Sequence, residues 1–242
     1  AGNVTYDHDG SETSADSFDF TVDDGTGATS NGTFNWTVTA VNDAPTQSSS
    51  EGTPLAYTEN DSAVTITSTL TLGDVDDTNL ESATVQISGN YANGQDVLAV
   101  VDQFGITGSW DSATGSLTLT GTAPVAQYQS VMQSISYENT SDNPSAITRT
   151  VSFTVNDGDV DSNTLTRDIT ISATNDDPTN AGSLPSDITV TEDVASNVNL
   201  SAIDLNDLDD NGGSLTVTLA TSTGGNLSAS SGGGVTVGGS GT

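Results

Sequence analysis

The chain has no cysteine and no lysine, and its 242 residues hold only two basic side chains, Arg149 and Arg167, against 33 acidic ones. Without cysteine there is no disulfide, no thiolate nucleophile and no zinc–thiolate site. Without lysine there is no Schiff-base chemistry and no Lys–Asn isopeptide crosslink. Two arginines cannot form the basic patch that nucleic-acid binding needs. A formal net charge of −31 is repelled by an anionic membrane surface. No apolar run approaches the length of a membrane-spanning helix. Histidine and methionine occur once each, as His8 and Met132. The first residue is Ala1 rather than Met, which suggests a mature product or a fragment. The charge imbalance comes from missing bases, since acids are an ordinary one residue in seven. Asp outnumbers Glu by 27 to six, which favours turns and caps over helices.

What is present is a repeat. Phe20-Thr21-Val22-Asp23-Asp24-Gly25 returns 133 positions later as Phe153-Thr154-Val155-Asn156-Asp157-Gly158. At the same offset, Asn42-Asp43-Ala44-Pro45-Thr46 returns as Asn175-Asp176-Asp177-Pro178-Thr179, and Thr58-Glu59-Asn60 as Thr191-Glu192-Asp193. Gly73-Asp74-Val75-Asp76-Asp77 returns as Asn206-Asp207-Leu208-Asp209-Asp210. A register held four times describes tandem domains. Residues 1–43 are the C-terminal part of a repeat, 44–176 a complete one, and 177–242 the N-terminal half of a further one.

Within the complete repeat, short β-branched and aromatic runs alternate with polar residues between Gly, Asn, Asp and Ser breaks. They predict strands near 53–58, 63–72, 81–88, 97–106, 115–120, 148–155 and 163–173, with a hairpin turn over 110–115. Thr122, the early Pro124 and the spacing of Val125, Tyr128 and Met132 predict a short helix over 122–132. A brief strand over 134–138 follows. The pattern argues for an all-β chain of tandem immunoglobulin-like sandwiches.

Strand parity then places the acids. The loop carrying Asp74, Asp76 and Asp77 and the loop carrying Asp157, Asp159 and Asp161 fall at one end, beside the 42–46 linker. Glu59 and Asp61, with Glu138 and Asp142, fall at the other. Converging carboxylates repel unless a cation or protons neutralise them. Ca²⁺ takes six to eight oxygens from carboxylates, amide and backbone carbonyls and water, whereas Mg²⁺ holds on to its waters. Softer metals lack ligands here. Ca²⁺ is therefore the expected cofactor.

These residues resemble a family. The Asn-Asp-Ala-Pro-Thr and Asn-Asp-Asp-Pro-Thr linkers, the Thr58-Glu59-Asn60-Asp61 stretch and the Asp-x-Asp-Asp loops are similar to bacterial cadherin-like repeats of large extracellular adhesins. Tyr6-Asp7-His8-Asp9-Gly10-Ser11-Glu12 adds a proteoglycan-type feature. The resemblance implies sandwich domains with Ca²⁺ at their junctions. One junction would use Glu59, Glu138, Asn175, Asp176, Asp207 and Asp209, with Asp210 standing where Asp77 stands one repeat earlier. The other would use Asn42, Asp43, Asp74, Asp76 and Asp157, flanked by Asp77 and Asp159, with Asp9 or Glu12 from the preceding repeat. The Asp-Arg-Glu triplet of cadherins is absent, which leaves Glu138 without its motif.

The reading is of a structural or adhesive segment of a long extracellular protein, rigidified by Ca²⁺ and contacting neighbouring repeats of its own chain. Two alternatives stay open: a carbohydrate- or partner-binding sandwich, and a filament subunit whose ends are completed between chains. Like subunits and surface glycans are thus the other expected partners. Single acids such as Asp16, Asp102, Asp111 and Asp187 read as solvated surface. Trp36, on one strand face with Phe34 and Val38, reads as core, and Trp110 as a more open hairpin residue. Gly232-Gly233-Gly234 lacks the lysine and the strand–helix setting of a phosphate loop. No catalytic set is expected: the single histidine sits in a polar loop, and a catalytic carboxylate pair would not recur in every repeat.

Overall fold

A computed structural model of the chain describes residues 2–49, 51–210, 213–222, 225 and 227–228; the glycine-rich run at 232–234 lies outside them. The chain divides into two units, one ending at Thr174 and the other beginning at Asn175. Among the described residues no helix is long and apolar enough to cross a membrane.

The first unit opens with a hairpin, β1 (Ala15–Asp23) and β2 (Thr29–Thr37). There follow β3 (Thr46–Ser48), β4 (Leu55–Thr58), β5 (Val64–Thr65), β6 (Thr71–Gly73), β7 (Asn79–Gly89), β8 (Asp96–Ala99), β9 (Thr107–Asp111) and β10 (Ser116–Pro124). The helix α1 (Val125–Met132) leads to β11 (Ser136–Asn139), β12 (Arg149–Asn156) and β13 (Leu165–Ser172). Six strands form one sheet in the order β4-β13-β12-β7-β10-β9, with three more in the order β5-β11-β8, and β3 pairs with β6. This is an all-β fold, a sandwich of the expected kind.

The pleat explains why these segments are strands. Along β7, Leu80, Ala83, Val85 and Ile87 are buried while their neighbours face outward; along β12, Val151, Phe153 and Val155 do the same. Leu117 and Leu119 of β10, Ile169 and Ile171 of β13, and Tyr57 of β4 complete the core with Tyr128, Val131 and Met132 of α1. β4 runs parallel to β13, the relation strand parity requires.

Three expectations need correction. The 63–72 strand is two short ones, because β5 pairs with β11 and β6 with β3, so residues 66–70 cross between sheets. The 97–106 strand likewise splits: β8 joins β11, whereas the chain turns at Phe104 and Gly105, both at positive φ, to enter β9. The helix starts at Val125 rather than Thr122, because β10 stays paired with β7 through Ala123 and Pro124 after a bulge. That bulge needs Gly121: at its φ of +133°, a Cβ would lie 2.3 Å from the Gly105 carbonyl oxygen.

The second unit pairs β14 (Thr179–Asn180) with β15 (Leu205–Asn206). It reproduces the first at the offset read in the sequence. Thr179↔Asn206 answers Thr46↔Gly73, and Asp193 at φ 64° answers Asn60 at φ 65°.

Candidate metal centre

Three of the expected acids at the 42–46 linker come together, with Asp76 beside them but outside the closest group. Asp74, Asp77 and Asp157 each offer a carboxylate oxygen within 4.8 Å of the other two. Two turns aim them. Asp74 Oδ1 accepts the N–H groups of Asp76 (3.2 Å) and Asp77 (3.0 Å). Asp157 Oδ1 accepts those of Asp159 (2.8 Å) and Val160 (2.7 Å). Each loop therefore folds back on one oxygen of its leading Asp. The linker supplies the third side. Asn42 Nδ2 donates to Asp157 Oδ2 at 2.9 Å, and the Asp43 N–H donates to Asp76 Oδ2 at 3.1 Å.

The remaining oxygens test the fit to a cation. Asp74 Oδ2 and Asp76 Oδ1 are buried and accept no hydrogen bond. A buried anionic oxygen without a donor is costly, and a hard cation satisfies it. The protein has no cation of its own to spare. Arg149 Nε is 2.8 Å from Asp96 Oδ2, and Arg167 Nη1 is 3.0 Å from Glu51 Oε1. An oxygen-only donor set of this kind fits Ca²⁺.

The electrostatics carry the same crowding. The Asp77 carboxyl is held above the usual aspartate range, first by partial desolvation and then by the charges of Asp76, Asp74, Asp157 and Asp159. Asp157 moves the other way. Desolvation pushes it up, but the Asn42 amide and the Val160 and Asp159 N–H groups outweigh that and hold it low. Glu12 is raised, first by desolvation, then by Asp76 and Asp43, which places it against this cluster. Asp9 is turned to the Ser11 N–H instead (3.1 Å). His8, Glu12 and Asp43 line one shallow depression, where His8 Nε2 meets Thr13 Oγ1 at 2.9 Å. Asp159 is exposed on the rim, outside the close group.

The residues expected at the other linker lie in both units. In the first, Glu59 is buried, with Oε2 accepting the Thr174 N–H at 2.7 Å and Oε1 buried without a partner. Glu138 is half-buried on β11 opposite Val97. In the second, the linker bonds of the first recur. The Asp176 N–H donates to the Asp209 carboxylate, as Asp43 does to Asp76. Asn175 Nδ2 donates to the Asp176 carbonyl (2.7 Å), as Asn42 does to Asp43 (3.2 Å). The Asp209 N–H donates to Asp207 Oδ1 (3.0 Å), as Asp76 does to Asp74. Asp210 is exposed beside them.

Sequence reasoning missed one buried polar network. Asp96 accepts from Arg149 Nε, from the Ala92 N–H (2.7 Å), from Tyr137 Oη (2.7 Å) and from Asn139 Nδ2 (2.6 Å). The signal was the scarcity of arginine: one of only two cations in so acidic a chain has to neutralise a specific acid. Trp110 is less open than expected, half-buried and edge-on to Tyr91 at 6.1 Å. Trp36 is half-buried too, with its neighbour Phe34 51% exposed, so the core reading of that strand face does not hold within these residues.

No family model matches the chain. It is 34% identical over 142 residues to halomucin of Haloquadratum walsbyi. The match covers 56% of this chain and 2% of that very long protein. That relative is named as a mucin, and this chain spans only a small fraction of its length.

Proposed function

We propose that the chain is a structural or adhesive segment of a long, cadherin-like extracellular adhesin or surface filament whose repeats are stiffened by Ca²⁺ at their linkers. The observation that carries this reading is the convergence of Asp74, Asp77 and Asp157 from two loops, with orphaned oxygens on Asp74 and Asp76 and both arginines committed elsewhere. Asp74, Asp76, Asp77 and Asp157 would hold the ion, with Asn42 and Asp43 tying the linker to them and Glu12 reaching in from the preceding repeat. The ion would supply positive charge to a group of acids that otherwise repel. The linker would then be held by ligands from both sides, so domain orientation becomes fixed. Outside the cell millimolar Ca²⁺ fills even weak sites. The recurrence of the linker bonds one repeat later supports the same role at Asp176, Asp207 and Asp209.

The test is calorimetric titration of chelated protein with Ca²⁺, and with Mg²⁺ as control. Saturable Ca²⁺ binding that is weakened by Asp74→Asn, with Mg²⁺ weak or absent, supports the reading. Absence of Ca²⁺ binding at millimolar concentration refutes it. The acids would then serve only to keep an acidic surface solvated.

A further inference from the structure

The β1–β2 hairpin presents an apolar face that nothing among the described residues covers. Phe18, Phe20, Val22 and Phe34 are 38%, 46%, 58% and 51% exposed. They form a continuous aromatic strip: Phe18 lies 5.8 Å from Phe34 and 5.0 Å from Trp36, which stacks on Tyr6 at 4.4 Å. A strip of this kind on a two-stranded ribbon marks an interaction surface.

The fold itself shows what such a hairpin takes. β1–β2 is β12–β13 displaced by 133 residues, with the register intact: Phe18↔Phe34 answers Val151↔Arg167, and Phe20↔Gly32 answers Phe153↔Leu165. The turn matches as well, with Gly25 and Gly158 both at positive φ and both N–H groups bonded to the side chain two residues back. In the complete repeat, β7 pairs along the outer edge of β12 and β4 runs parallel along β13. There Val151, Phe153, Val155 and Ile169 are at most 1% exposed. In the β1–β2 hairpin, each strand pairs only with the other among the described residues.

We infer that the β1–β2 face is the docking surface for a preceding stretch of the same polypeptide with the chemistry of residues 44–133. This rests on the tandem-repeat reading but not on Ca²⁺. The register fixes the contacts. The counterpart of Ile87 lies opposite Phe18, that of Val85 opposite Phe20 and that of Ala83 opposite Val22, as in β7–β12. The counterpart of Leu55 lies opposite Trp36, as Leu55 itself does opposite Ile169. A second copy fits the face less well. Its residues 177–242 correspond to 44–109 only, and so carry no counterpart of Leu117, Leu119, Tyr128 or Met132, which close the core of the complete repeat.

The experiment extends the chain by a copy of residues 44–133 placed directly before Ala1, which continues the 133-residue register. Trp110→Phe in both copies leaves Trp36 as the only tryptophan, excited selectively at wavelengths too long for tyrosine to absorb. Docking shifts Trp36 emission to the blue and lowers its acrylamide quenching several-fold relative to the 242-residue chain. Phe20→Ala, nearly silent in the 242-residue chain, then lowers the melting point by roughly 6 °C or more. Val85→Asp with Ile87→Asp in the added copy abolishes the protection. Trp36 as quenchable as before, whether or not the added copy folds, overturns the inference. So does concentration-dependent dimerisation of the 242-residue chain that protects Trp36 without any extension. Ca²⁺ binding at Asp74, Asp77 and Asp157 is measured separately, so failure of either idea leaves the other standing.

Discussion

Asp77 and Asp157 sit in one cluster, yet replacing each by Asn has opposite effects once the cation is removed. Asp157 is held low because donors from Asn42, Asp159 and Val160 surround its carboxylate. Its ionised form stabilises the fold above the unfolded pKa, and that stability is lost as pH falls through the lower folded value. Asp157→Asn keeps one oxygen for the backbone donors but sets an amide N–H₂ against Asn42 Nδ2. One charge-assisted bond is lost, at a cost of about 1.5–3 kcal/mol. Across a unit of this size each kcal/mol moves the melting point by about 2–4 °C, so chelated Asp157→Asn melts roughly 3–12 °C lower. Asp77 is raised, by desolvation and then by four neighbouring carboxylates. Whatever it contributes is present below the unfolded pKa and lost as pH rises through the folded value, so at neutral pH its charge opposes folding. Chelated Asp77→Asn therefore melts higher than the unaltered chain. In Ca²⁺ the two variants agree. Saturation at 100-fold over the dissociation constant is worth about 2.7 kcal/mol, or roughly 5–11 °C, and loss of one anionic ligand cuts it in both. Thermal melts in chelator and in Ca²⁺ at pH 7 read all four values. Asp77→Asn melting lower than the unaltered chain in chelator refutes the crowding argument. An undiminished Ca²⁺ shift in both variants puts the cation elsewhere.

Arg149→Met strands the buried Asp96 carboxylate and lowers stability by about 3–5 kcal/mol, read as a lower urea midpoint; a loss under 1 kcal/mol contradicts the pairing. Phe153→Ala and Phe20→Ala remove the same ring from equivalent positions one repeat apart. The first opens a cavity in a site 1% exposed and costs about 3–5 kcal/mol, while the second, at 46% exposure, stays near 0.5 kcal/mol in the 242-residue chain. Glu51 is desolvated, which raises it, but Thr67, the Ser68 N–H, Ser49 and Arg167 outweigh that and hold it below the usual glutamate range. Its contribution is present above the unfolded pKa and lost as pH falls through the lower folded one. Glu51→Gln therefore flattens the fall in urea midpoint on acidification below about pH 4.5, and an unchanged acid limb refutes the assignment.

The strands with clean alternation were legible because their inward residues repeat every second position and meet one core. β7, β12 and β13 lie within two residues of their expected limits. Where a segment changes partner sheet midway, as at 66–70 and 100–106, alternation continues in the sequence while pairing does not. The end of β10 hid under helix-like spacing, because Thr122, Pro124 and Val125 satisfy a helix start whether or not Ala123 is still paired to Leu80. At the site, Asp74, Asp77 and Asp157 could be grouped from parity alone. That Asp159 stands on the rim, and that Glu12 rather than Asp9 approaches the cluster, depended on which carboxylates the turns consume.

The sequence by itself determined the class of the molecule. Composition removed thiol and lysine chemistry, and a 133-residue offset set the repeat and assigned each loop to an end of its sandwich. Only the tertiary structure decided which oxygens are free to meet a cation. Asp74 and Asp76 each carry two equivalent oxygens, and the fold spends one of each pair on backbone N–H groups, leaving Asp74 Oδ2 and Asp76 Oδ1 buried and unmatched. It likewise decided that two hairpins of the same register meet different fates. β12–β13 is sealed by β7 and β4, whereas β1–β2 keeps its aromatic face open, because burial belongs to what packs against a strand and not to the strand's own residues.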